Sequence, residues 1–346
     1  KRVGGLYPYV TRMNSLKISS RRAQQGKRDR REVKNFMRHE IKNLQKIQKM
    51  LVDKTYKSSK YRFFTINDRG KEREIADLPF YPDRIVHWAL MNHIERPMIN
   101  HFIPTTYASI EGRGTHKALK KLNSDILKYP ELKYCLKIDI KKFFPNIDKD
   151  ILKQLFRRKF KDKDLLWLMD EIVEGYPKSG IPIGNYSSQF FGNYYLSFFD
   201  HWIKEVKKRK VYMRYMDDMI VLSETKEELW DLLDDIESYL DKNLKLKVKG
   251  NYQIFPIESR GVDFVGYKSY GYKITLRNET KRRMIRKTNK LKKKEVLSDR
   301  DMSVIGSYKG IVSHVTGNKL YNNHLKSLIE RADRQRIELR SEEVYT

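Results

Sequence analysis

"RYMDDMIVLS", residues 214–223, sets two carboxylates side by side between apolar runs. Met213, Tyr215, Met219 and Val221 alternate as strand residues do, so 211–222 reads as a hairpin with Asp217 and Asp218 at its tip. Two-residue hairpin turns favour Asn-Gly or Asp-Gly, because both central positions need positive φ. Asp-Asp is a poor turn by that rule, and adjacent like charges repel. A solvated turn is one reading, since Asp is common in turns. The other is that a site dictates the two residues and the turn tolerates them.

A second stretch bears on the choice. "KYCLKIDI" (133–140) alternates, with Tyr134, Leu136 and Ile138 on one face and Cys135, Lys137 and Asp139 on the other. If this strand neighbours the hairpin in one sheet, Asp139, Asp217 and Asp218 converge. Close carboxylates raise one another's pKa and destabilise the fold. Hard divalent cations such as Mg²⁺ reverse that cost, taking carboxylate oxygens together with substrate phosphates. Two such ions about 3.5–4 Å apart can clamp the attacking and leaving oxygens of a phosphoryl displacement.

Bulk composition points the same way. The formal net charge of +29 is spread along all 346 residues, which favours a long nucleic-acid track over one small anion site. A merely solvated, repulsive surface is the alternative. The single cysteine, Cys135, excludes an internal disulfide or a Cys-based zinc site and suits a reducing cytoplasm. No apolar run approaches the length of a membrane span, and "KRVGGLYPYV" has no signal-peptide core. A cytoplasmic protein without a membrane partner is therefore expected.

Along the chain, residues 15–52 are basic and helical in period, with Val33, Phe36, Ile41, Leu44, Ile47 and Leu51 as one stripe. A hairpin is predicted from Arg62–Ile66 and Glu72–Ala76, turned at 67–70. "DRIVHWALMNHIERPMI" predicts a helix from Asp83. A glycine-rich turn at 112–114 feeds another, ending near Asp125. "KDLLWLMDEIVEG" is a short helix; "YSSQFFGNYYLSFFDHWIKEVKKRK" is a long one with a core stripe of Phe191, Tyr195, Phe198 and Trp202. A helix at 225–244, strands at "LKVKGNYQIFPI" and "GVDFVGYKSYGYKITL", and basic helices from Asn278 complete the pattern. Tyr308, Leu320, Tyr321 and Leu325 could be exposed protein-docking anchors.

"YMDD" between apolar strands resembles the catalytic hairpin of reverse transcriptases, and "LKIDIKKFFPNID" (136–148) resembles their preceding catalytic strand. "GIPIGNYSSQFFGNYYL" (180–196) is similar to the template- and nucleotide-contacting loop and helix between them. "GKEREI", "DRIVHWAL" and "YASIEGRGTHKAL" resemble the fingers region, and "GVDFVGY" the primer-grip hairpin. The set spans roughly 60–275, with order and spacing intact. "IGNYSSQ" (183–189) resembles the bacterial diversity-generating retroelement enzymes, with phage-defence reverse transcriptases of the same group II intron-like lineage a related alternative. The small residue that many retroelement enzymes carry in the second tetrad position is Met216 here.

The resemblance implies an α+β right-hand polymerase fold with fingers, a palm built on an antiparallel sheet, and a helical thumb. Its boundaries would be a basic N-terminal helical extension at 1–60, fingers at 61–132, palm at 133–275 with helices at 163–208, and thumb at 276–346. It implies Asp139, Asp217 and Asp218 as catalytic metal ligands, with the Ile140 carbonyl beside them. Lys71 and Arg73 would grip the triphosphate, Phe144 would be the steric gate under the sugar, and Gln189 would meet the nucleotide or template base. Gly112, Arg113, Gly184, Tyr215, Met216 and Gly266 would contact template or primer. Lys249 is a candidate proton donor to pyrophosphate, although the family lysine is shifted or absent. The implied cofactors are two Mg²⁺ ions, with Mn²⁺ an alternative. The implied partners are an RNA template, a DNA or RNA primer and dNTPs, with an accessory protein or structured non-coding RNA in addition.

Competing readings are an RNA-dependent RNA polymerase and a non-catalytic RNA chaperone or maturase on the same scaffold. The former usually carries Gly-Asp-Asp and a smaller gate than Phe144. The latter often loses aspartates that this chain retains.

Overall fold

The structure, a computed structural model, describes residues 1–68 and 70–344, and the side chains of these except Asp68, Lys71 and 339–344. The chain forms two compact units. One comprises Lys1–Arg113, Lys137–Met219 and Trp230–Tyr252; the other comprises Gly114–Leu136, Ile220–Leu229 and the chain from Gln253 onward.

In the first unit, β1 (Arg62–Asp68) and β2 (Lys71–Asp77) pair antiparallel, with Arg62 opposite Asp77 and Ile66 opposite Arg73. The strands run further than the sequence pattern predicts, because the polar residues Asn67 and Asp68 still pair with Glu72 and Lys71. The N–H of Gly70 donates to Asn67 Oδ1 at 2.8 Å, closing the tip.

The central sheet has four strands in the order β4 (Val211–Tyr215), β5 (Asp218–Ser223), β3 (Tyr134–Asp139), β6 (Gln253–Pro256). β4 buries four residues in a row and β5 buries five, so these central strands are covered on both faces rather than on alternate residues. Most of "LKVKGNYQIFPI" is not strand: only Gln253–Pro256 joins the sheet, while Val248 makes an isolated antiparallel bridge to Ile140.

The helix Tyr186–His201 is buried around nearly its whole circumference. The expected stripe is only half right: Phe191 and Tyr195 are core, but Phe198 and Trp202 are partly exposed, and Phe190, Tyr194 and Phe199 are buried instead. A helix enclosed on all sides selects by volume, not by one face. Gly192 lies in its middle, where glycine costs roughly 1 kcal/mol relative to alanine; close packing is the reason to keep it. The helix Ile85–Ile99 packs against this one and buries Ile85, Leu90, Ile94 and Met98.

Residues 13–52 fold as three helices, Met13–Gln24, Arg31–Met37 and Glu40–Val52. Val33, Phe36, Leu44, Ile47 and Leu51 are buried, but Ile41 is 51% exposed, because the stripe is broken at the 38–39 turn.

The second unit contains β7 (Val262–Phe264), β8 (Tyr267–Ser269) and β9 (Ile274–Leu276), an antiparallel sheet in that order. Four helices follow: Asn278–Lys292, Asp299–Val312, Lys319–His324 and Lys326–Val344. The second begins with a reciprocal Ser298–Asp301 capping box. Met284, Leu291, Met302, Ile305 and Leu328 form the core of this unit. Leu325 is buried in it, and Tyr308, Leu320 and Tyr321 pack against it, so these four are not the free docking anchors that the sequence suggests. Among the described residues no helix is long and apolar enough to cross a membrane.

Candidate active site

The turn that opens the sequence analysis differs from its expectation by one residue. Met216 and Asp217 form the loop, and Asp218 is the first residue of β5. Met216 has φ +57°, the left-handed region that two-residue hairpin loops demand and that side chains resist. The strain that the sequence assigns to Asp-Asp thus falls on Met216, which is nevertheless buried.

Asp139 ends β3, and β3 and β5 are neighbours, so the first carboxylate meets the turn. Asp217 is hydrogen-bonded to Asp139. Burial, then the negative charge of Asp139, then Asp218, push the Asp217 carboxyl up to about 7. Asp218 is turned toward Lys137, its Oδ2 lying 3.6 Å from Nζ. Lys249 Nζ lies 3.6 Å from Asp139 Oδ2, and its backbone N–H donates to the Asp139 carbonyl at 2.8 Å. The structure therefore joins Asp139 to Asp217 and pairs Asp218 with a lysine. Among the described residues no three His, Cys, Asp or Glu side chains are gathered to hold a metal as they stand. The Ile140–Val248 bridge uses the Lys141 N–H and the Asp139 carbonyl, so the Ile140 carbonyl is not part of that pairing.

Behind the turn lies a polar network without a motif signature. Arg214 is completely buried. Its Nε donates to Asp200 Oδ1 at 2.7 Å and its Nη2 to Asp200 Oδ2 at 2.5 Å. The remaining N–H groups reach Asn193 Oδ1 (3.0 Å), the Asn193 carbonyl (3.1 Å) and the Met216 carbonyl (3.0 Å). All five guanidinium donors are thereby satisfied. Tyr212 and Thr106 hydroxyls donate to the same Asp200 carboxylate at 2.6 and 3.1 Å. Burial alone would lower the Arg214 pKa, but Asp200 outweighs it and the net direction is upward. The network ties the left-handed turn to the long helix. It also reaches the segment 105–108: Arg214 N donates to the Thr105 carbonyl and Asn193 Nδ2 to the Ala108 carbonyl.

The remaining sequence candidates scatter around this centre. Phe144 is half-buried, in the short helix Phe143–Asn146 that follows the left-handed Lys142. Ser109 Oγ donates to Gln189 Oε1 at 3.3 Å. Gly184, at φ +124°, sits where an added Cβ would lie 3.0 Å from the Ala76 carbonyl, and the Ala76 N–H donates to Ile183 O at 3.1 Å. That contact fixes the loop onto β2. Arg73 is on the exposed face of β2 opposite Ile66, while the Lys71 side chain lies outside the described residues. Gly112 has φ +70°, and Arg113 Nη1 donates to the Ile103 carbonyl at 2.9 Å. Tyr215 closes β4 and is half-buried. Gly266, in the second unit, forms with Val265 the turn between β7 and β8, both with positive φ. A β-branched valine there is a genuine outlier.

The sequence reading misses Arg214, Asp200, Asn193, Gly180 and Gly192. The first three were visible only as polar residues inside apolar stretches, the signal of a satisfied buried network.

An acidic hairpin turn set against an aspartate on the neighbouring strand of a central sheet is the arrangement of a nucleotidyl-transferring polymerase palm. The sequence profile of the family "Reverse transcriptase (RNA-dependent DNA polymerase)" matches residues 56–269, more than half the chain, and the chain belongs to that family. That family is one of RNA-directed DNA polymerases, and the α+β architecture of this chain is the right-hand polymerase fold. Nuclear intron maturase 4, mitochondrial, of Arabidopsis thaliana is 27% identical over 157 residues, which are 42% of this chain and 19% of that protein. The chain thus spans about a fifth of that relative's length. Among solved structures, apo telomerase from Candida tropicalis truncated from its C-terminal domain aligns with TM-score 0.48 and 13% identity over 63% of this chain and 55% of that one. Telomerase from Candida albicans in complex with a TWJ fragment of telomeric RNA gives 0.48 and 10% over 62% and 45%.

Proposed function

We propose that this protein copies RNA into DNA, adding dNTPs to a primer by attack of its 3′-hydroxyl on the α-phosphate with release of pyrophosphate. The observation that carries the reading is the Asp139–Asp217 contact, with Asp217 held near neutrality by burial and by its neighbour. Two carboxyls in contact at the apex of a buried sheet are destabilising unless a cation takes their place between proton and charge.

The donor set fits Mg²⁺ or Mn²⁺: hard carboxylate oxygens from Asp139, Asp217 and Asp218, with the Ile140 carbonyl adjacent. Bound there, two such ions would lower the charge on the attacking and leaving oxygens. Asp218 would exchange Lys137 for the ion. The chain's own residues do the rest. Arg214 holds the turn through the Met216 carbonyl. Lys71 and Arg73 are assigned to the triphosphate, for which a guanidinium fork suits phosphate oxygens. Phe144 is assigned to the sugar, Gln189 to the nucleotide or template base. Gly112, Arg113, Gly184, Tyr215, Met216 and Gly266 are assigned to template and primer. Residues 1–60, 61–132, 133–275 and 276–346 then serve as basic extension, fingers, palm and thumb.

For the biological setting we favour template copying in a bacterial or phage diversity-generating retroelement, supported by "IGNYSSQ" at 183–189. cDNA synthesis in phage defence, with a dedicated RNA or partner, is the second setting. The maturase relative favours a further reading, an RNA chaperone on this scaffold, which the retained aspartates oppose. A primer-extension assay on RNA templates tests the activity; no extension on any template by the intact protein would favour the chaperone. Sequencing the nucleic acid that copurifies with the protein separates the two settings: near-identical repeats with errors point to the retroelement, one structured RNA to defence.

A further inference from the structure

Phe144 is the residue assigned to the nucleotide sugar, yet nothing in its own sequence neighbourhood explains how its ring is held. The residue before the short helix, Lys142, is left-handed (φ +45°), which turns Phe143 inward and leaves Phe144 half-exposed. The two rings lie 5.3 Å apart at 59°. Two glycines far along the chain close in on them.

Gly180 has φ +77°, and a Cβ there would lie 2.2 Å from the Phe144 carbonyl. The next residue's N–H, from Ile181, donates to that same carbonyl at 3.0 Å. Gly180 therefore fixes the backbone under Phe144. Gly192, in the long helix, faces the ring. A Cβ at Gly192 would lie 3.2 Å from Phe143 Cε1, 3.4 Å from Phe144 Cε1 and 3.6 Å from Met216 Sδ. The absent side chain is the slot against which both rings and the turn methionine rest.

Resting on the assignment of Phe144 to the sugar, we infer that Gly192 is a positioning residue for nucleotide selection: it sets how far the Phe144 ring projects. The three side chains around Gly192 are unequally confined. Phe143 is 2% and Met216 7% exposed, so neither can yield, whereas Phe144 is bounded by solvent on one side. A methyl group at Gly192 presses on Phe143 Cε1 at 3.2 Å and meets Phe144 Cε1 at van der Waals distance, so the half-exposed Phe144 ring is the one that gives, toward the space the nucleotide sugar would fill. The effect is on selection of the incoming nucleotide, not on the metal-binding carboxylates.

The test is a double-mutant cycle on the full chain, read by single-nucleotide primer extension with dNTP and rNTP separately. Gly192→Ala should raise the dNTP KM about fivefold, the cost of a ring displaced by a few tenths of an ångström, with little change in kcat and no gain in rNTP use. Phe144→Ala should relax the exclusion of rNTP by about 10–100-fold. In the Phe144→Ala background, Gly192→Ala should then change neither nucleotide's KM. A Gly192→Ala effect that persists without the ring, or an unchanged dNTP KM in Gly192→Ala, overturns the inference. If Phe144→Ala still excludes rNTP, the sugar assignment fails, while the Gly192–Phe144 coupling is still read from the dNTP KM. If Gly192→Ala melts too low to assay, Gly192→Ala/Phe144→Leu replaces it. Recovery of the fold and of dNTP KM supports the slot, and failure to recover refutes it.

Discussion

Arg214 and Asp217 are three residues apart and face opposite electrostatic conditions. Arg214 is wholly buried, and each of its N–H groups has a named acceptor, two of them on Asp200. Asp217 is half-buried against a second carboxyl of the same sign, and its pKa climbs to about 7. One side chain is paired with an opposite charge; the other is hydrogen-bonded to a carboxyl of its own kind. The hydrogen bond from Arg214 to the Met216 carbonyl joins the two at 3.0 Å. Buried charges that are fully paired hold a geometry, whereas like-charged groups with a perturbed pKa are candidates for chemistry.

The largest expected effect breaks the carboxyl pair. Asp139→Ala or Asp217→Ala should lower primer extension by about 10³-fold or more, measured in single turnover, with no loss of folding. Extension within tenfold of the intact protein would remove these carboxylates from the chemistry.

Breaking the Arg214–Asp200 pair should cost stability first. Arg214→Met leaves Asp200 buried without its partner and should lower unfolding free energy by about 3–5 kcal/mol in urea titrations. Arg214→Met/Asp200→Leu should recover most of that, yet extension should stay about tenfold down, because the Met216 carbonyl has lost its donor. A double variant restored in both respects would make the network a matter of stability alone.

A smaller effect sharpens the contrast through pH. The Asp217 pKa is raised on folding from 3.8 to about 7, so the folded state binds the extra proton between those values. The resulting destabilisation is absent near pH 4, grows as pH rises, and is complete above about 7. Asp217→Asn should therefore raise Tm by about 2–5 °C at pH 8 without divalent ions, and the gain should vanish toward pH 4. Saturating MgCl₂ should raise the wild-type Tm more than that of the variant. A pH-independent gain would mean that the Asp139 contact does not perturb Asp217.

The smallest effect is expected at Lys249. Its 3.6 Å pairing with Asp139 is about 40% exposed, so Lys249→Gln should change stability by under about 1 kcal/mol in the same titrations. A larger loss would show that the lysine neutralises the acidic apex more than its exposure suggests.

Local chemistry made the acidic centre legible. Apolar runs on both sides of Asp217 and the alternation that ends at Asp139 place carboxylates at strand ends. The off-by-one position of the loop escaped, because a two-residue turn is set by backbone pairing and not by which residues are charged. The near-complete burial of the helix Tyr186–His201 escaped too, since its period looks the same whether one side or almost every side is covered. The four residues read as anchors, Tyr308 to Leu325, show the same limit: amphipathic spacing does not say what covers the apolar face.

By itself, then, the sequence determined a strongly basic α+β chain of the reverse transcriptase family and singled out three aspartates as its candidate centre, because periodicity, charge and spacing are local properties. Only the tertiary structure decided that Asp217 meets Asp139 while Asp218 turns to Lys137, that Arg214 and Asp200 brace the turn, and that Gly180 and Gly192 close around Phe144. Those are contacts between residues distant in the chain, where one hydrogen bond or one missing methyl group matters, and no spacing rule carries distances of that kind.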